Sequence, residues 1–460
     1  MRGPETFVAF CTPIQLKNNI VEKLRENFRL SLPNNIHTDL PCHLKNILPS
    51  VSKEFLEWLV GFTDAEGTFA IVHQRSWTHV GLNFTIDLHI DDVEILYKIA
   101  ENLVIGAVYI SKTRSSASFI VNKFEDINSV IIPIFNEFPL QTTKYLDFAS
   151  LKHAALIKLA SKGISKGRVS YNNFSQADLV KLKKLKESMN SGRSVLIPKE
   201  EKLLKDKVFI NKWWLLGFVE GEGTFGYKHL VPYFQIAQNK TNLFVLEAIE
   251  DYLLNTFNLS GDKEVFKYSL NKGTGVYSLV IYTVDINFYY ILPFFESMIF
   301  FSRKNIDYLY WVIMVIIHKL GYYYLPSGKK IALDISSATN KYRYTTNNSN
   351  KVELPNCELI SNLLAQTPPF DISSGSHSEL VRKFTIAKGG RKGFVVYIYE
   401  SSESNKLKEL KGSPFSTYGD GHAVIGLNRG SRVIGRYIDT GQKYKDKYIF
   451  SSIPLDLLEK

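Results

Sequence analysis

The hydrophobic and polar positions of the chain follow the same order of elements twice. An apolar, helix-like run leads into stretches in which apolar and polar residues alternate, as they do in half-buried strands. Phe84, Ile86 and Leu88, for example, alternate with polar side chains. A second helical pattern separates two such strand pairs, and a third follows them. The pattern predicts helix, hairpin, helix, hairpin, helix in residues 52–160 and again in 207–325.

The predicted strands have one apolar face, which must pack on helices, and one polar face, which stays free to bind a partner. Matching prolines and lysines in "INSVIIPIFNEFPLQTTKYLD" and "INFYYILPFFESMIFFSRKNID" extend the duplication to the end of each repeat. We therefore expect an α+β fold in which two pseudo-symmetric αββαββα repeats form a saddle of two antiparallel sheets.

The remaining segments differ from the repeats in composition. The inter-repeat segment contains a helix that begins with Ser175 as N-cap and Asp178 in a capping-box position. A later segment is dense in Ser, Asn and Thr and is expected to be flexible. The last segment predicts a small α/β unit resembling a helix-turn-helix. The predicted units outside the repeats are an N-terminal arm (1–51), the inter-repeat linker with its helix (161–206), the flexible linker (326–385) and the C-terminal unit (386–460).

One motif opens both repeats: "WLVGFTDAEGTF" begins at Trp58 and "WLLGFVEGEGTF" at Trp214. Each copy has small residues four apart, Gly61 with Ala65 in the first copy. Because glycine inside a helix costs about 1 kcal/mol relative to alanine, the spacing predicts that the two helices pack closely on each other. The glycines that follow, Gly67 and Gly223, are expected to be left-handed residues that end the helices.

The acids before these glycines, Glu66 and Glu222, would then lie side by side in the last helical turns. The negative end of each helix dipole disfavours a carboxylate, and two neighbouring carboxylates repel each other. A divalent cation relieves both penalties, and oxygen ligands suit Mg²⁺. Carboxylate-bound metals beside a basic groove are the components of phosphodiester hydrolysis.

Charge and hydropathy are consistent with this interpretation. The formal net charge of +11 favours a polyanionic partner, either nucleic acid or an anionic membrane surface. The most apolar stretch, "YLYWVIMVII", is about half as long as a bilayer-spanning helix, so we expect a buried helix and no membrane partner. The three cysteines match neither a disulfide framework nor a zinc site.

The two motifs, "LVGFTDAEG" (59–67) and "LLGFVEGEG" (215–223), resemble those of the LAGLIDADG homing endonucleases, and two copies in one chain are typical of the monomeric branch. The resemblance implies that Glu66 and Glu222 bind Mg²⁺ or Mn²⁺. It implies that each site cuts one strand of double-stranded DNA across the minor groove, while the sheets lie along the major groove of a long asymmetric target.

The resemblance also implies further site residues. Lys144 and Lys304, at the start of each closing helix, are expected to reach the scissile phosphates, and Gln238 is expected near the metals. Leu88 occupies the position that matches Gln238, so the two sites need not be equally active. Polar side chains on strands and hairpin turns are expected to read bases. These candidates are Gln74, Arg75, Asn83, Thr85, Lys112, Arg114, Lys123, Lys228, Gln235, Asn239, Lys267 and Lys272.

The stretch "RVIGRYIDTGQKYKDKYIF" resembles the nuclease-associated modular domains appended to homing endonucleases. The resemblance implies DNA binding, and a grip on phosphates is expected from basic residues of this unit. Those expected to bind nucleic acid are Arg432, Arg436 and Lys443, accompanied by Arg429, Lys445 and Lys447.

Two functions fit the resemblance. A site-specific endonuclease would cut an intronless target and so promote intron homing, whereas a maturase would bind host intron RNA and assist its splicing. The intact acids favour the endonuclease, and both activities could reside on one scaffold. A WhiA-type transcriptional regulator fits less well because that family has one degenerate motif pair. Richness in Phe, Tyr, Asn and Lys suits an AT-rich genome, and the family leads us to expect a mitochondrial protein.

Overall fold

The computed structural model describes the two repeats, most of the linkers and most of the C-terminal unit. The described residues are 40–74, 77–111, 113–165, 168–193, 195–259, 265–339, 357–387, 395–401 and 407–455. The described part of the predicted N-terminal arm forms helix α1 (Cys42–Ile47), whose Leu44 is fully buried in the core of the first repeat.

The first repeat has the predicted order of helices and strands, with one additional helical segment before its closing helix. That segment consists of a single turn (Phe124–Asp126), a π-helical turn (Ile127–Ile131) and helix α4 (Ile132–Glu137). The other elements are α2 (Lys53–Glu66), β1 (Gly67–His73), β2 (Val80–His89), α3 (Val93–Leu103), β3 (Ala107–Ile110), β4 (Ser116–Val121) and α5 (Lys144–Ala160).

The linker between the repeats contains a short hairpin and two helices, and the predicted capping box between Ser175 and Asp178 is confirmed. These elements are β5 (Gly163–Ser165), β6 (Arg168–Ser170), α6 (Gln176–Glu187) and α7 (Pro198–Lys207).

The second repeat reproduces the first, including the additional segment, which comprises Val284–Ile286, the π-helical turn Asn287–Ile291 and α10 (Leu292–Glu296). Its other elements are α8 (Lys212–Glu222), β7 (Gly223–Lys228), β8 (Val231–Asn239), α9 (Leu243–Thr256), β9 (Lys267–Asn271), β10 (Val276–Ile281) and α11 (Lys304–Lys319). Helix α11 contains the apolar stretch of the sequence and is buried along its length. No helix in the described part of the chain is long and apolar enough to cross a bilayer.

Each repeat forms one antiparallel four-stranded sheet, with orders β1-β2-β4-β3 and β7-β8-β10-β9. Phe69 faces Phe84 across the first strand pair, and Phe225 faces Phe234 at the same place in the second sheet. All four rings are buried against helices, so the opposite face of each sheet is left open. The predicted α+β fold with two pseudo-symmetric antiparallel sheets is therefore confirmed.

The two motif helices, α2 and α8, pack backbone against backbone at the centre of the molecule. A Cβ on Gly61 would lie 1.9 Å from the carbonyl oxygen of Trp214, and one on Gly217 would lie 2.1 Å from that of Trp58. These distances are far below van der Waals contact, so both helices depend on glycine at these positions. The prediction that small residues bring the two helices together is confirmed.

The prediction that Gly67 and Gly223 are left-handed is wrong. Their φ angles are −78° and −78°, in extended backbone, because each helix runs directly into a strand without a turn. The reason for glycine is space. A Cβ on Gly67 would lie 2.5 Å from the Thr63 methyl carbon, and one on Gly223 would lie 2.6 Å from the Val219 carbonyl oxygen.

The prediction of a flexible linker over 326–385 is wrong for its described residues, which form three helices. Apolar residues at helical spacing, such as Ile331 and Ile335 in α12 and Ile360 and Leu364 in α13, are buried in the main core. The stretch richest in Ser, Asn and Thr, 340–356, lies outside the described residues. The helices are α12 (Pro326–Ala338), α13 (Cys357–Ala365) and α14 (His377–Ala387).

The C-terminal unit is a small α/β unit, as predicted, with its own core that includes Val396, Ile398, Ile434 and Phe450. Its sheet has the order β12-β11-β13, and two short helices connect β12 to β13. The elements are β11 (Tyr397–Ser401), β12 (Leu407–Glu409), α15 (Tyr418–Val424), α16 (Val433–Tyr437) and β13 (Tyr448–Ser451).

A buried histidine in α11 makes stability sensitive to acid. His318 is 2% exposed, its Nε2 lies 3.0 Å from the carbonyl oxygen of Leu230, and burial together with His377 lowers its pKa from 6.5 to about 3. Below pH 6.5 this histidine is protonated in the unfolded chain but stays neutral in the folded chain. The free energy of unfolding therefore decreases as the pH decreases, and at pH 5 this group alone lowers it by about 2 kcal/mol. In urea unfolding at pH 7 and pH 5, we expect His318→Gln, which can still donate to Leu230, to lose less stability than the unmodified protein. An equal loss in both proteins would contradict this assignment.

Candidate active site and nucleic-acid surface

Glu66 and Glu222 end the two central helices, and each lies beside the opposite helix. Oε1 of Glu66 is 3.1 Å from the position that a Cβ on Gly221 would occupy. Burial raises the pKa of both carboxyls, and the proximity of Glu66 raises the pKa of Glu222 further. Both side chains remain partly exposed. The geometry therefore brings together the two acids singled out in the sequence and leaves them accessible from the surface.

Lys144 and Lys304 lie next to these acids. Nζ of Lys144 donates to the carbonyl oxygens of Ala65 (2.7 Å) and Thr63 (3.2 Å), and Nζ of Lys304 donates to that of Gly223 (2.8 Å). The positive charges of both lysines lower the pKa of Glu66 and Glu222, opposing the effect of burial. Each closing helix thus begins with an ammonium group at the end of its own repeat's motif helix.

The Glu222 side of the site contains a chain of amide groups. The side chain of Gln238 hydrogen-bonds to Glu222, and Nδ2 of Asn242 donates to Oε1 of Gln238 at 2.9 Å. Oδ1 of Asn242 in turn accepts from the backbone N–H of Thr143, in the first repeat, at 3.0 Å. Gln238 thus lies beside the acid, as expected, and is held in place from the other repeat.

The Glu66 side has a different chemical character. Leu88 occupies the place of Gln238 and packs against the core, while Asp92 occupies the place of Asn242 and raises the pKa of Glu66. Arg303 crosses from the second repeat to Asp91, with Nη1 3.1 Å from the backbone oxygen and 3.3 Å from Oδ2. The two halves of the site therefore differ, with an amide chain beside Glu222 and an additional carboxylate near Glu66.

Two buried acids that the sequence analysis did not single out link the two repeats. Oδ2 of Asp64 accepts from Nε1 of Trp214 at 2.8 Å and from the backbone N–H of Gln141 at 2.7 Å. Glu220, at the matching position, accepts from Nε1 of Trp58 at 2.9 Å and from the backbone N–H of Phe301 at 3.0 Å. Burial raises the pKa of both carboxyls, and the hydrogen bonds oppose that shift.

Each of these acids holds the segment just before a closing helix. Thr142 and Ser302 also donate backbone N–H groups to Asp64 and Glu220, respectively, two residues ahead of Lys144 and Lys304. The buried acids therefore position the two lysines relative to Glu66 and Glu222. The signal in the sequence was an acid two residues before the final glutamate in both motif copies.

The site suits a divalent cation of the magnesium type. In the described residues no cluster of three or more His, Cys, Asp or Glu side chains could hold a metal. Glu66 and Glu222 provide two carboxylates, and Mg²⁺ is commonly bound by one or two carboxylates together with water and substrate phosphates. A cation would also relieve the repulsion and burial that raise the pKa of both acids.

The open faces of the two sheets carry several of the predicted base-reading residues. Asn83 and Thr85 alternate with buried residues of β2, and Gln235 and Asn239 alternate with buried residues of β8. Lys267 shares the face of Gln235, because both are paired with Val280. Gln238 belongs to the opposite, buried face of β8, which explains its contact with the acid.

The other predicted nucleic-acid contacts that the structure describes lie at hairpin turns, at strand ends or in the C-terminal unit. Lys123 is exposed and forms an ion pair with Asp126 at 3.3 Å. Arg75 and Lys112 lie outside the described residues. The exposed members of this group are Gln74, Arg114, Lys123, Lys228, Lys272 and Arg432, whereas Arg436 and Lys443 are half-buried.

Comparisons with known proteins agree with this geometry. The "Uncharacterized mitochondrial protein RF1" of Saccharomyces cerevisiae is 26% identical over 87% of this chain and 82% of its own length. The "Probable intron-encoded endonuclease 3" of Neurospora crassa is 27% identical over 55% of this chain, and the "Probable intron-encoded endonuclease Cox1-I1b" of Schizosaccharomyces pombe is 30% identical over 44%. The matched regions cover 48% and 50% of those two endonucleases.

Among solved structures, the I-SmaMI LAGLIDADG homing endonuclease bound to cleaved DNA superposes with a TM-score of 0.51 at 22% identity, over 63% of this chain and 97% of that one. I-SmaMI bound to an uncleaved DNA target in the presence of calcium ions superposes with a TM-score of 0.52 at 19% identity, over 62% of this chain and 99% of that one. These likenesses establish the fold. The family model for LAGLIDADG endonucleases matches residues 59–155 and 215–315, one match for each repeat, and the two repeats of this chain therefore belong to the LAGLIDADG endonuclease family.

Proposed function

We propose that this protein is a site-specific, divalent-metal-dependent endonuclease that cuts double-stranded DNA at an intronless target and thereby promotes intron homing. The observation that carries the proposal is the pairing of two accessible glutamates, each with a lysine at the start of the neighbouring closing helix. This arrangement lies where the two motif helices pass into the sheets.

Each group has a definite role in the proposed reaction. Glu66 and Glu222 would hold the cations, whose chemistry when bound is to neutralise charge on the scissile phosphates. Lys144 and Lys304 supply further positive charge at those phosphates. On the Glu222 side, Gln238 fixes the orientation of the carboxylate. The buried acids Asp64 and Glu220 hold the start of each closing helix, and hence its lysine, in a fixed position next to Glu66 and Glu222.

The open faces of the sheets are the proposed DNA-binding surface, with direct base contacts from residues such as Asn83 and Gln235. The protein would act as a monomer, because both half-sites come from one chain. Mg²⁺ is the proposed physiological cation, with Mn²⁺ as a substitute. The mitochondrial relative RF1 and the intron-encoded relatives support a mitochondrial location.

The test is cleavage of a plasmid that carries the intron-free exon junction of the host gene. We expect Mg²⁺ or Mn²⁺ to convert supercoiled plasmid to a single linear product and EDTA to prevent it. A plasmid in which the intron interrupts the junction is the control and should remain uncut. Binding without cleavage, together with faster splicing of the intron RNA, would reject the endonuclease proposal in favour of a maturase.

The difference between the two halves of the site predicts unequal cutting. Because Gln238 orients Glu222 while Leu88 leaves Glu66 without such a contact, we expect one strand to be cut first and nicked plasmid to accumulate transiently. Gln238→Leu should slow the faster strand about 10- to 100-fold, a typical cost of losing a group that orients a metal ligand, and so reduce the difference between strands. Single-turnover rates on strand-labelled target measure this. Unchanged rates on both strands would contradict a role for Gln238.

A further inference from the structure

The C-terminal unit is docked onto the second repeat. Helix α12 packs on both α11 and α16, and Nζ of Lys329 in α12 lies 3.5 Å from the carbonyl oxygen of Ile438. The carboxylate of Asp334, also in α12, accepts a hydrogen bond from Gln442. Tyr437 packs against the main core and against the core of the unit. The unit is therefore a built-in extension of the second repeat.

Docking places α16 against the β7–β8 turn at the outer end of the second sheet. His229 and Leu230 form this two-residue turn with φ angles of 55° and 69°, as expected for a tight hairpin. Nη2 of Arg436 lies 3.2 Å from Nδ1 of His229. Arg432 is four residues earlier and exposed, so both arginines lie on the side of α16 that meets the turn.

Lys228 adds a third positive charge at this place. It is paired with Val231 across the hairpin and shares the open face of the sheet with Gln235, and its Nζ lies 5.4 Å from the ring centre of Tyr282. Burial lowers the pKa of His229, and the positive charges of Arg432, Arg436 and Lys228 lower it further. Three cations thus converge on one hairpin turn despite their mutual repulsion.

Two other cations of the C-terminal unit pair with acids. Nη1 of Arg429 pairs with Asp420 at 3.3 Å, and Nζ of Lys447 pairs with Glu400 at 2.8 Å. Lys228, Arg432 and Arg436 thus form a group of positive charges around His229, next to the open face of the second sheet, and a polyanion would neutralise such a group.

We propose that the β7–β8 turn and α16 form one phosphate-binding surface, built from Lys228, Arg432 and Arg436, that lengthens the DNA contact beyond the half-site of the second repeat. This inference rests on the proposed function. The phosphate-binding surface would contact the DNA that flanks the target on one side only, so the length of DNA bound by the protein would be asymmetric about the target. The docked unit fixes the distance between this flanking contact and the target.

The test is binding of the full-length protein, in calcium, to three duplexes: the minimal target and the target extended by one helical turn on either side. We expect extension on one side alone to tighten binding. Arg432→Ala/Arg436→Ala, which changes only the C-terminal unit, should bind the extended duplex about tenfold more weakly and lower the slope of log K against log salt by about 2, since each phosphate contact contributes about 0.9. Its affinity for the minimal target should stay within about threefold.

The matched control is Lys53→Ala/Lys205→Ala, which removes two positive charges that pair with acids one helical turn away, Glu57 at 3.8 Å and Glu201 at 3.0 Å, and should leave the length dependence intact. Equal urea midpoints would show that both variants are folded. Binding that is independent of flanking length on both sides would overturn this inference while leaving the endonuclease proposal standing. Failure to bind any target duplex while intron RNA is bound would overturn both.

Discussion

Glu66→Gln and Glu222→Gln are each expected to convert the enzyme from one that linearises a target plasmid into one that nicks it, and the double variant is expected to do neither. Each substitution keeps the shape of the side chain but removes the charge that would hold a cation in the proposed site. Metal stabilisation of the transition state is worth several kcal/mol, so cutting of the affected strand should slow about a thousandfold or more, at tenfold per 1.4 kcal/mol. Gel separation of supercoiled, nicked and linear plasmid measures the effect.

Folding provides the internal control for these variants. Burial raises the pKa of both glutamates, so their ionised forms oppose folding at neutral pH, and removal of either charge should maintain or raise the urea midpoint. Glu101→Gln, at an exposed position in α3, is the matched substitution away from the site and should leave cleavage unchanged. Linear product formed at the unmodified rate by either site variant would contradict the assignment of the acids.

Gly217→Ala is expected to destabilise the protein strongly, because it adds a methyl group at the close contact between the two motif helices. The added Cβ would lie 2.1 Å from the Trp58 carbonyl oxygen and 2.7 Å from the Phe62 backbone nitrogen, and backbone atoms on both sides leave no side chain that could rotate away. The helices α2 and α8 would have to separate, at a cost of about 3 kcal/mol or more. The urea midpoint followed by tryptophan fluorescence should report this, because Trp58 and Trp214 are buried at the same contact.

Gly435→Ala is the control that distinguishes the steric clash at Gly217 from the effect of replacing any glycine inside a helix. Gly435 also lies inside a helix, α16, but the nearest atom to its added Cβ would be a ring carbon of Tyr418 at 3.7 Å. Alanine is the better helix former by about 1 kcal/mol, so this variant should be neutral or slightly more stable. Similar midpoints for Gly217→Ala and Gly435→Ala would contradict the close packing of the two motif helices.

Features that recur in both repeats could be predicted from the sequence. The paired motifs predicted the helix contact and the proximity of the two acids, since each is visible twice in matching positions, and the family resemblance implied that the lysines of the closing helices lie near them. Alternation along β2 and β8 predicted which side chains point to the open faces. The difference between Gln238 and Leu88 was also visible, because the repeats can be aligned without reference to a structure.

Features that depend on contacts across the repeats could not be predicted. The sequence around Asp64 does not distinguish it from any other acid in a helix, because its hydrogen-bond donor, Trp214, is 150 residues away in the chain. The local rule for a glycine at a helix end failed at Gly67, because the constraint is the side chain of Thr63. The prediction of a flexible linker over 326–385 rested on the average composition of the segment, which is polar. The average does not reveal the apolar residues at helical spacing, which are buried in the main core.

The most direct test of the account is to map which strand each single-site variant cuts. Target duplex labelled separately on each strand would be incubated with Glu66→Gln and with Glu222→Gln in Mg²⁺, and the products resolved on a denaturing gel. We expect the two variants to nick opposite strands at the positions of the unmodified protein's double-strand break. Nicks on the same strand, or equal loss of cutting on both strands in each variant, would contradict the claim that each glutamate serves one strand.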